Sequence, residues 1–455
     1  MNRVLLLSHT TGYQLRAFND AAEALGIEIL FATDRCHKLD DPWQDRALAV
    51  RFHELDASVD AIVERAGREP IAGVIAVGDR PVILAARAAE AVGIAWHSVA
   101  GATASTDKCR ARALIAAAGL PSPRFRILDS GFTIRDAGLG IPDSRLEIRD
   151  SRLGIRDQRP GMRDSEFPVV VKPLGLSGSR GVIRANDPSE FDAAVQRIRA
   201  LLARPAIRAA RTGLEDEILV EDYIAGREYA LEGVLTHGAL RVFAIFDKPD
   251  PLEGPFFEET LYVTPSRLPA PMQGRLVDHV QRASAALGLS HGPVHAECRV
   301  TRDGTIYVLE IAARPIGGLC SRVLTFHCEA GSPNHGAVPA RGGGLEELLL
   351  RHAIGDAIAG CSREAEAAAV MMIPIPSRGM FKGLSGEDAA RAVPGVTGLQ
   401  ITAKVGQLLE PLPEAGSYLG FIFARGGTPA AAEASARAAH KQLTFEISRE
   451  LAVSS

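Results

Sequence analysis

The sequence predicts an α/β and α+β multidomain protein, and three observations carry that prediction. Strand-like and helix-like runs alternate through the first hundred residues, the middle reads as hairpins around glycine loops, and the last eighty or so residues alternate short strands and turns. A length of 455 residues suggests roughly three domains. Apolar residues at 46% can fill several cores, and a net charge of −4 gives no global field for nucleic acid or an anionic membrane. The apolar run in "MNRVLLLSHTTGYQ" is too short for a leader core, and no stretch approaches a membrane span, so the expected location is the cytoplasm. Six cysteines without a C-x-x-C pair argue against a disulfide framework or a zinc site.

The N-terminal elements follow from their patterning. "RVLLLS" reads as a buried strand, "YQLRAFNDAAEALG" as an amphipathic helix stopped at Gly26, and "IEILFAT" as a second strand. "IAGVIAVGD" is another strand, Pro81 opens the helix "PVILAARAAEAVG", and "IAWHS" reads as one strand more. Helical crossovers of this length imply a parallel sheet. No G-x-G-x-x-G follows the first strand, so this unit is expected to supply one wall of a cleft and not a dinucleotide site.

Ser105 or Thr106 is the expected cap of the next helix, which Gly119 ends. Residues 130–164 then divide into five heptads, from "SGFTIRD" to "QRPGMRD". A seven-residue period can mean a coiled coil, but these units are poor in apolar residues and interrupted by glycine and proline. An expanded duplication in an irregular surface loop, without a part in catalysis, accounts for them better. Beyond it, "EFPVVVKPLGLSGSRGVIRA" is strand, glycine loop, strand, and "GPVHAECRVTRDGTIYVLEIAAR" is a hairpin turning at "RDG". The C-terminal part is expected to finish in a long helix.

Three constellations carry chemistry. In "VVVKPLGLSGSRGV", Lys172 ends a strand and Gly175, Ser177, Gly178, Ser179 and Gly181 follow. Such a loop can turn backbone N–H groups toward a phosphate beside a lysine charge, although an ordinary Gly/Ser hairpin turn has the same composition. In "ILVEDYIAGREYALEGV", a strand-to-loop crossing with two acids can meet a purine edge, and an acid further on can take ribose hydroxyls; a solvated acidic strand end reads the same way. In the hairpin, a turn at Arg302–Thr305 sets a register that places Glu297 opposite Glu310. Two like charges facing each other among apolar neighbours destabilise a sheet, and a shared divalent cation removes the conflict.

These motifs stand in a recognisable order. "TDKCRARALIAAAGLPSP", "FPVVVKPLGLSGSRGV", "VEDYIAGREY", "GPVHAECRV" and "LEIAARPIGG" together resemble the ATP-grasp superfamily, and within it carboxylate–amine ligases of the L-amino acid ligase type. The resemblance implies an ATP-grasp fold. Residues 1–104 would form a Rossmann-like parallel-sheet domain and 105–370 the ATP-grasp domain, with 166–235 as the ATP lid and 130–164 as an insertion. Residues 371–455 would form an α+β cap. It also implies attack of a substrate carboxylate on the γ-phosphate of ATP, and capture of the acylphosphate by an amine to give an amide, ADP and phosphate.

Carried over by motif, Lys108 and Lys172 would hold ATP phosphates, and the loop with Ser177, Gly178, Ser179 and Gly181 would close over them. Glu221, Asp222, Tyr223 and Ile224 would form the adenine hinge and Glu228 would take the ribose. Glu297 and Glu310 would ligate Mg²⁺, with Mn²⁺ as an alternative. Arg314 would neutralise the transferring phosphoryl group, and Gly317 and Gly318 would offer donors nearby. The implied partners are small molecules, an amino acid or other carboxylate and an amine, with a homodimer as one option for assembly. Two positions depart from the pattern. Many ATP-grasp enzymes have Asn where this chain has Ala312, a feature shared with the amino-acid-ligase branch. Tyr262 stands where related ligases pair an acid, here Glu259, with a histidine, and this leaves the first substrate open. His295, on the same strand face as Glu297, reads equally as a site neighbour or as a core histidine, and Cys298 and Cys320 read as small buried residues.

Overall fold

The computed structural model describes residues 2–9, 13–34, 47–128, 134–136, 167–328 and 343–448. At the N-terminus, four parallel strands run in the order Ala47–Ala49, Glu28–Thr33, Arg3–Ser8, Gly73–Val77. This is the parallel sheet that the alternating pattern predicts. Helix Tyr13–Leu25 ends at Gly26, whose positive φ of 64° supplies the left-handed stop.

A five-stranded antiparallel sheet forms the small lobe, ordered Ile134–Asp136, Phe125–Leu128, Ile218–Asp222, Val169–Pro173, Ile183–Ala185, with helix Pro188–Leu202 packed on it. Of the heptad segment, Ile134–Asp136 alone is described, as a strand paired with Phe125–Leu128; the expected irregular course of the rest lies outside the described residues. The central sheet has eight strands, in the order Ile306–Ala312, Gly292–Val300, Arg227–Thr236, Ala239–Lys248, Leu261–Thr264, Ala367–Ile373, Gly420–Gly426, Val396–Ile401. It continues without a break into the C-terminal part, and the expected boundary at 370/371 falls inside the strand Ala367–Ile373.

Four local expectations are corrected. "IAWHS" is not a strand: Trp96 and His97 are buried, and the His97 Nε2–H donates to Pro293 O at 2.9 Å, so the segment belongs to the joint with the central sheet. The helix cap is Asp107, whose carboxylate accepts the Arg110 N–H at 3.1 Å. After helix Pro429–His440, residues Thr444–Ser448 form a strand paired with Gly379–Ser385, because "TFEIS" alternates in β fashion. Cys328 and Cys361 form a disulfide between facing strand residues 33 positions apart, a pairing made by the fold that no local spacing reveals. Among the described residues, no helix is long and apolar enough to cross a membrane.

The joint between the N-terminal domain and the central sheet makes stability depend on pH. His97, His291 and His352 converge there, with the His291 and His352 rings stacked at 4.5 Å and His237 at 5.0 Å from His291. Burial, reinforced by the neighbouring imidazoles, lowers His97 and His352 to about 4 from 6.5. The unfolded chain therefore binds protons that the folded chain refuses, and stability is lost as pH falls from 6.5 toward 4. For His97 this amounts to on the order of 3 kcal/mol. His97→Gln, which keeps a donor for Pro293 O, is expected to flatten the denaturation profile across that window; an unchanged slope would refute the assignment.

Candidate functional site

A cleft of ≈ 430 Å³ lies between the small lobe and the central sheet, and residues of the C-terminal part complete its wall. The predicted site residues converge on it: Lys108, Lys172, Ser177, Gly178, Ser179, Glu221, Asp222, Tyr223, Ile224, Glu228, Glu259, Tyr262, Glu297, Glu310, Arg314, Gly317 and Gly318 all line it. Gly181 does not. Its N–H donates to Pro413 O at 2.8 Å, and a Cβ there would meet Pro173 Cγ at 2.6 Å, so the glycine serves the loop's packing and its contact with the C-terminal part.

On the lobe side, Lys172 and Arg112 both ion-pair with the buried Glu221, Arg112 through Nε at 3.1 Å. Burial alone would raise the Glu221 carboxyl, but the charges and hydrogen bonds of Arg112 and Lys172 hold it at about 2. The Lys108 ammonium donates to Leu176 O at 2.7 Å at the foot of the glycine loop. Ser179 (φ 56°) and Gly178 (φ 66°) both take left-handed conformations in that loop. Tyr223 lies with Val170, Val182, Leu252 and Phe257 in an apolar cluster that can accept a planar ring.

On the sheet side, Glu297 stands directly opposite Glu310 as expected, through a bulge between Glu297 and Cys298 that shifts the register by one residue from that beside the turn, where Val300 faces Ile306. Lys248 was missed by sequence reasoning. Its Nζ lies 2.8 Å from Glu228, 2.6 Å from Glu259 and 3.1 Å from Glu297. Glu228 faces Lys248 across the "THG" turn, again through a bulge, at Glu232–Gly233, that moves the pairing one residue from the register set at the turn. Arg299 takes the other Glu228 oxygen at 2.9 Å. Burial and the neighbouring Glu297 and Glu228 raise Glu259 to about 7 despite Lys248. His295 lines the cleft and lies 3.3 Å from Glu232, which is fully buried. Burial pushes the Cys298 and Cys320 thiols above their ordinary range, in keeping with inert core residues.

Arg314 donates from Nε to Asp79 Oδ1 at 2.8 Å, a contact to the N-terminal domain. The following turn is held by Gln14, which donates to Ile316 O at 2.8 Å, and by Glu232, which accepts from Ile316 N at 3.1 Å. A Cβ at Gly318 would lie 2.7 Å from Met372 Sδ, so a flexible thioether fills the space beside this turn. The C-terminal part also grips the lobe, through Arg197 with Glu414 at 2.5 Å and Arg204 with Glu410 at 2.7 Å.

Comparison with known proteins agrees with this geometry. Residues 19–94 match the ATP-grasp N-terminal domain, 165–323 the ATP-grasp domain, and 371–448 the L-amino acid ligase C-terminal domain 2. A D-alanine–D-alanine ligase of Aromatoleum aromaticum is 30% identical over 46% of this chain and 56% of its own length. The alanine–anticapsin ligase of Bacillus subtilis is 26% identical over 33% of this chain and 34% of its own. The chain thus spans about half and about a third of these two relatives. The crystal structure of an L-amino acid ligase from Bacillus licheniformis superposes with a TM-score of 0.75 over 99% of both chains at 23% identity, which establishes the fold. In fold and in domain order, this chain carries an ATP-grasp N-terminal domain, an ATP-grasp domain and a C-terminal domain similar to that of L-amino acid ligases.

Proposed function

We propose that the protein is an ATP- and Mg²⁺-dependent carboxylate–amine ligase that joins an amino acid or similar carboxylate to an amine through an acylphosphate, releasing ADP and phosphate. The observation that carries this reading is the meeting of cross-strand carboxylates, two lysines, a glycine loop and one arginine in a single cleft. Val170, Leu252, Phe257 and Tyr223 offer an apolar slot for the adenine, beside the hinge at Glu221–Ile224. Lys108, Lys172 and the loop from Ser177 line the same cleft and would meet the phosphates.

The facing acids Glu297 and Glu310 suit a hard divalent cation. Their oxygen donors match Mg²⁺, and Mn²⁺ would accept the same set. A cation held there would neutralise charge on phosphate oxygens. Glu259, turned into the cleft and tied to Lys248, is suited to accept a substrate ammonium, and Arg314 supplies a fixed positive charge where the acyl carboxylate meets the phosphoryl group.

A pairwise amino-acid screen tests the proposal. The expected result is ATP-dependent phosphate release stimulated by at least one pair, with a product mass equal to the two reactants less one water. ATP-dependent release that no amino acid stimulates would overturn the amino-acid reading.

A further inference from the structure

We propose that Asp79 is a positioning residue for Arg314, fixing one edge of its guanidinium. The inference rests on the ligase reading and adds a residue of the N-terminal domain to it. Asp79 stands just beyond the strand Gly73–Val77, where Gly78 (φ 86°) turns the chain out of the sheet. Its carbonyl accepts the Val82 N–H at 3.2 Å, so its backbone is anchored in the entry to helix Val82–Val92. Sheet and helix both belong to a buried core, and the carboxylate is thus presented from a rigid base.

Three groups from separate segments meet this carboxylate. Arg314 donates to it through Nε, the Ser177 hydroxyl hydrogen-bonds to it, and Lys108 adds charge from nearby. Burial alone would raise Asp79, but these partners hold it below its ordinary value, so it stays anionic. Arg314 has five N–H groups. One goes to Asp79 and one, from Nη1, to Pro315 O at 3.2 Å; the other three have no protein acceptor among the described residues, in a side chain that lines the cleft.

This division of labour has a physical consequence. A free arginine on a flexible stem would have to be ordered when charge develops on a transferring group, whereas one already held needs no reorganisation. Asp79 takes the Nε edge and leaves the Nη groups to the substrate.

The test is a double-mutant cycle on phosphate release by the full chain. Asp79→Ala is expected to lower kcat by about 10²-fold while KM for ATP moves less than about three-fold. In an Arg314→Ala background the same change is expected to cost less than about three-fold, since the arginine it positions is gone. Asp79→Asn keeps an acceptor oxygen for Nε and is expected to recover most of the loss, which also controls for folding. Equal losses in both backgrounds, or an unchanged kcat in Asp79→Ala, would overturn the proposal. If the wild type shows no substrate-stimulated release, the ligase reading fails by itself, and Asp79 is then judged by calorimetry with MgADP and aluminium fluoride. Asp79→Ala should weaken binding with the fluoride about tenfold more than binding of MgADP alone; equal weakening of the two would overturn the proposal.

Discussion

Arg314→Ala is expected to lower substrate-stimulated phosphate release by on the order of 10²–10³-fold, mainly in kcat. The side chain is mostly buried and lines the cleft, paired with Asp79 and within the influence of the Glu310 and Glu297 charges. Burial would favour its neutral form, but these three carboxylates hold it firmly charged. Such a charge is worth little to a resting substrate already shielded by a cation, and more as the phosphoryl group moves onto the substrate carboxylate. Hence the loss should fall on kcat and not on KM for ATP, whose adenine and ribose are proposed to meet other residues. Arg314→Lys should restore only part of the rate, because one ammonium cannot serve Asp79 and two phosphoryl oxygens together. A loss below tenfold in Arg314→Ala, or a loss confined to KM, would remove Arg314 from this role.

What the sequence makes legible here is what local rules decide. Alternating elements announce the parallel sheet, and the tight turn brings Glu297 to within one residue of facing Glu310, a bulge at Glu297–Cys298 completing the pair. The same reasoning reaches Lys248, which faces Glu228 across the neighbouring hairpin, but a bulge at Glu232–Gly233 shifts that register by one residue. Asp79, Gln14, Arg112 and Arg299 are less accessible. Asp79 lies 235 residues from Arg314 and Arg112 lies 109 from Glu221, so their partners are set by the packing of elements far apart in the chain. Spacing rules also fail for Gly181, which looks like its glycine neighbours in the loop yet is taken up by packing against Pro173 and by the carbonyl of Pro413. Composition shows that a loop can turn; it does not show which side of the loop meets the ligand.

Glu221→Leu is expected to destabilise the small lobe by about 3–5 kcal/mol and to lower the melting midpoint by roughly 10 °C. Glu221 joins the strand Ile218–Asp222 to two cations, Arg112 from helix Lys108–Ala117 and Lys172 from the adjacent strand, and all three side chains are nearly inaccessible to water. Removing the acid leaves two buried positive charges facing each other, and burial already pulls Lys172 below its usual value with Glu221 present. The carboxyl is held at about 2 in the fold against 4.5 unfolded, so its contribution is present above pH 4.5 and lost as pH falls toward 2. That window overlaps the one set by His97 between about pH 4 and 4.5 and otherwise lies below it, so in an acid titration the histidine decline should come first and the Glu221 decline should follow on from it. The triple variant Arg112→Met, Lys172→Met, Glu221→Leu separates stability from function. Replacing a whole buried ionic group by apolar side chains is often neutral or stabilising, so the midpoint should return to near the wild-type value. Activity should not return, because the lysine placed to meet ATP phosphates is gone. A triple variant as unstable as Glu221→Leu would show that the lobe depends on more than charge balance, and one that regained full activity would remove Lys172 from phosphate binding.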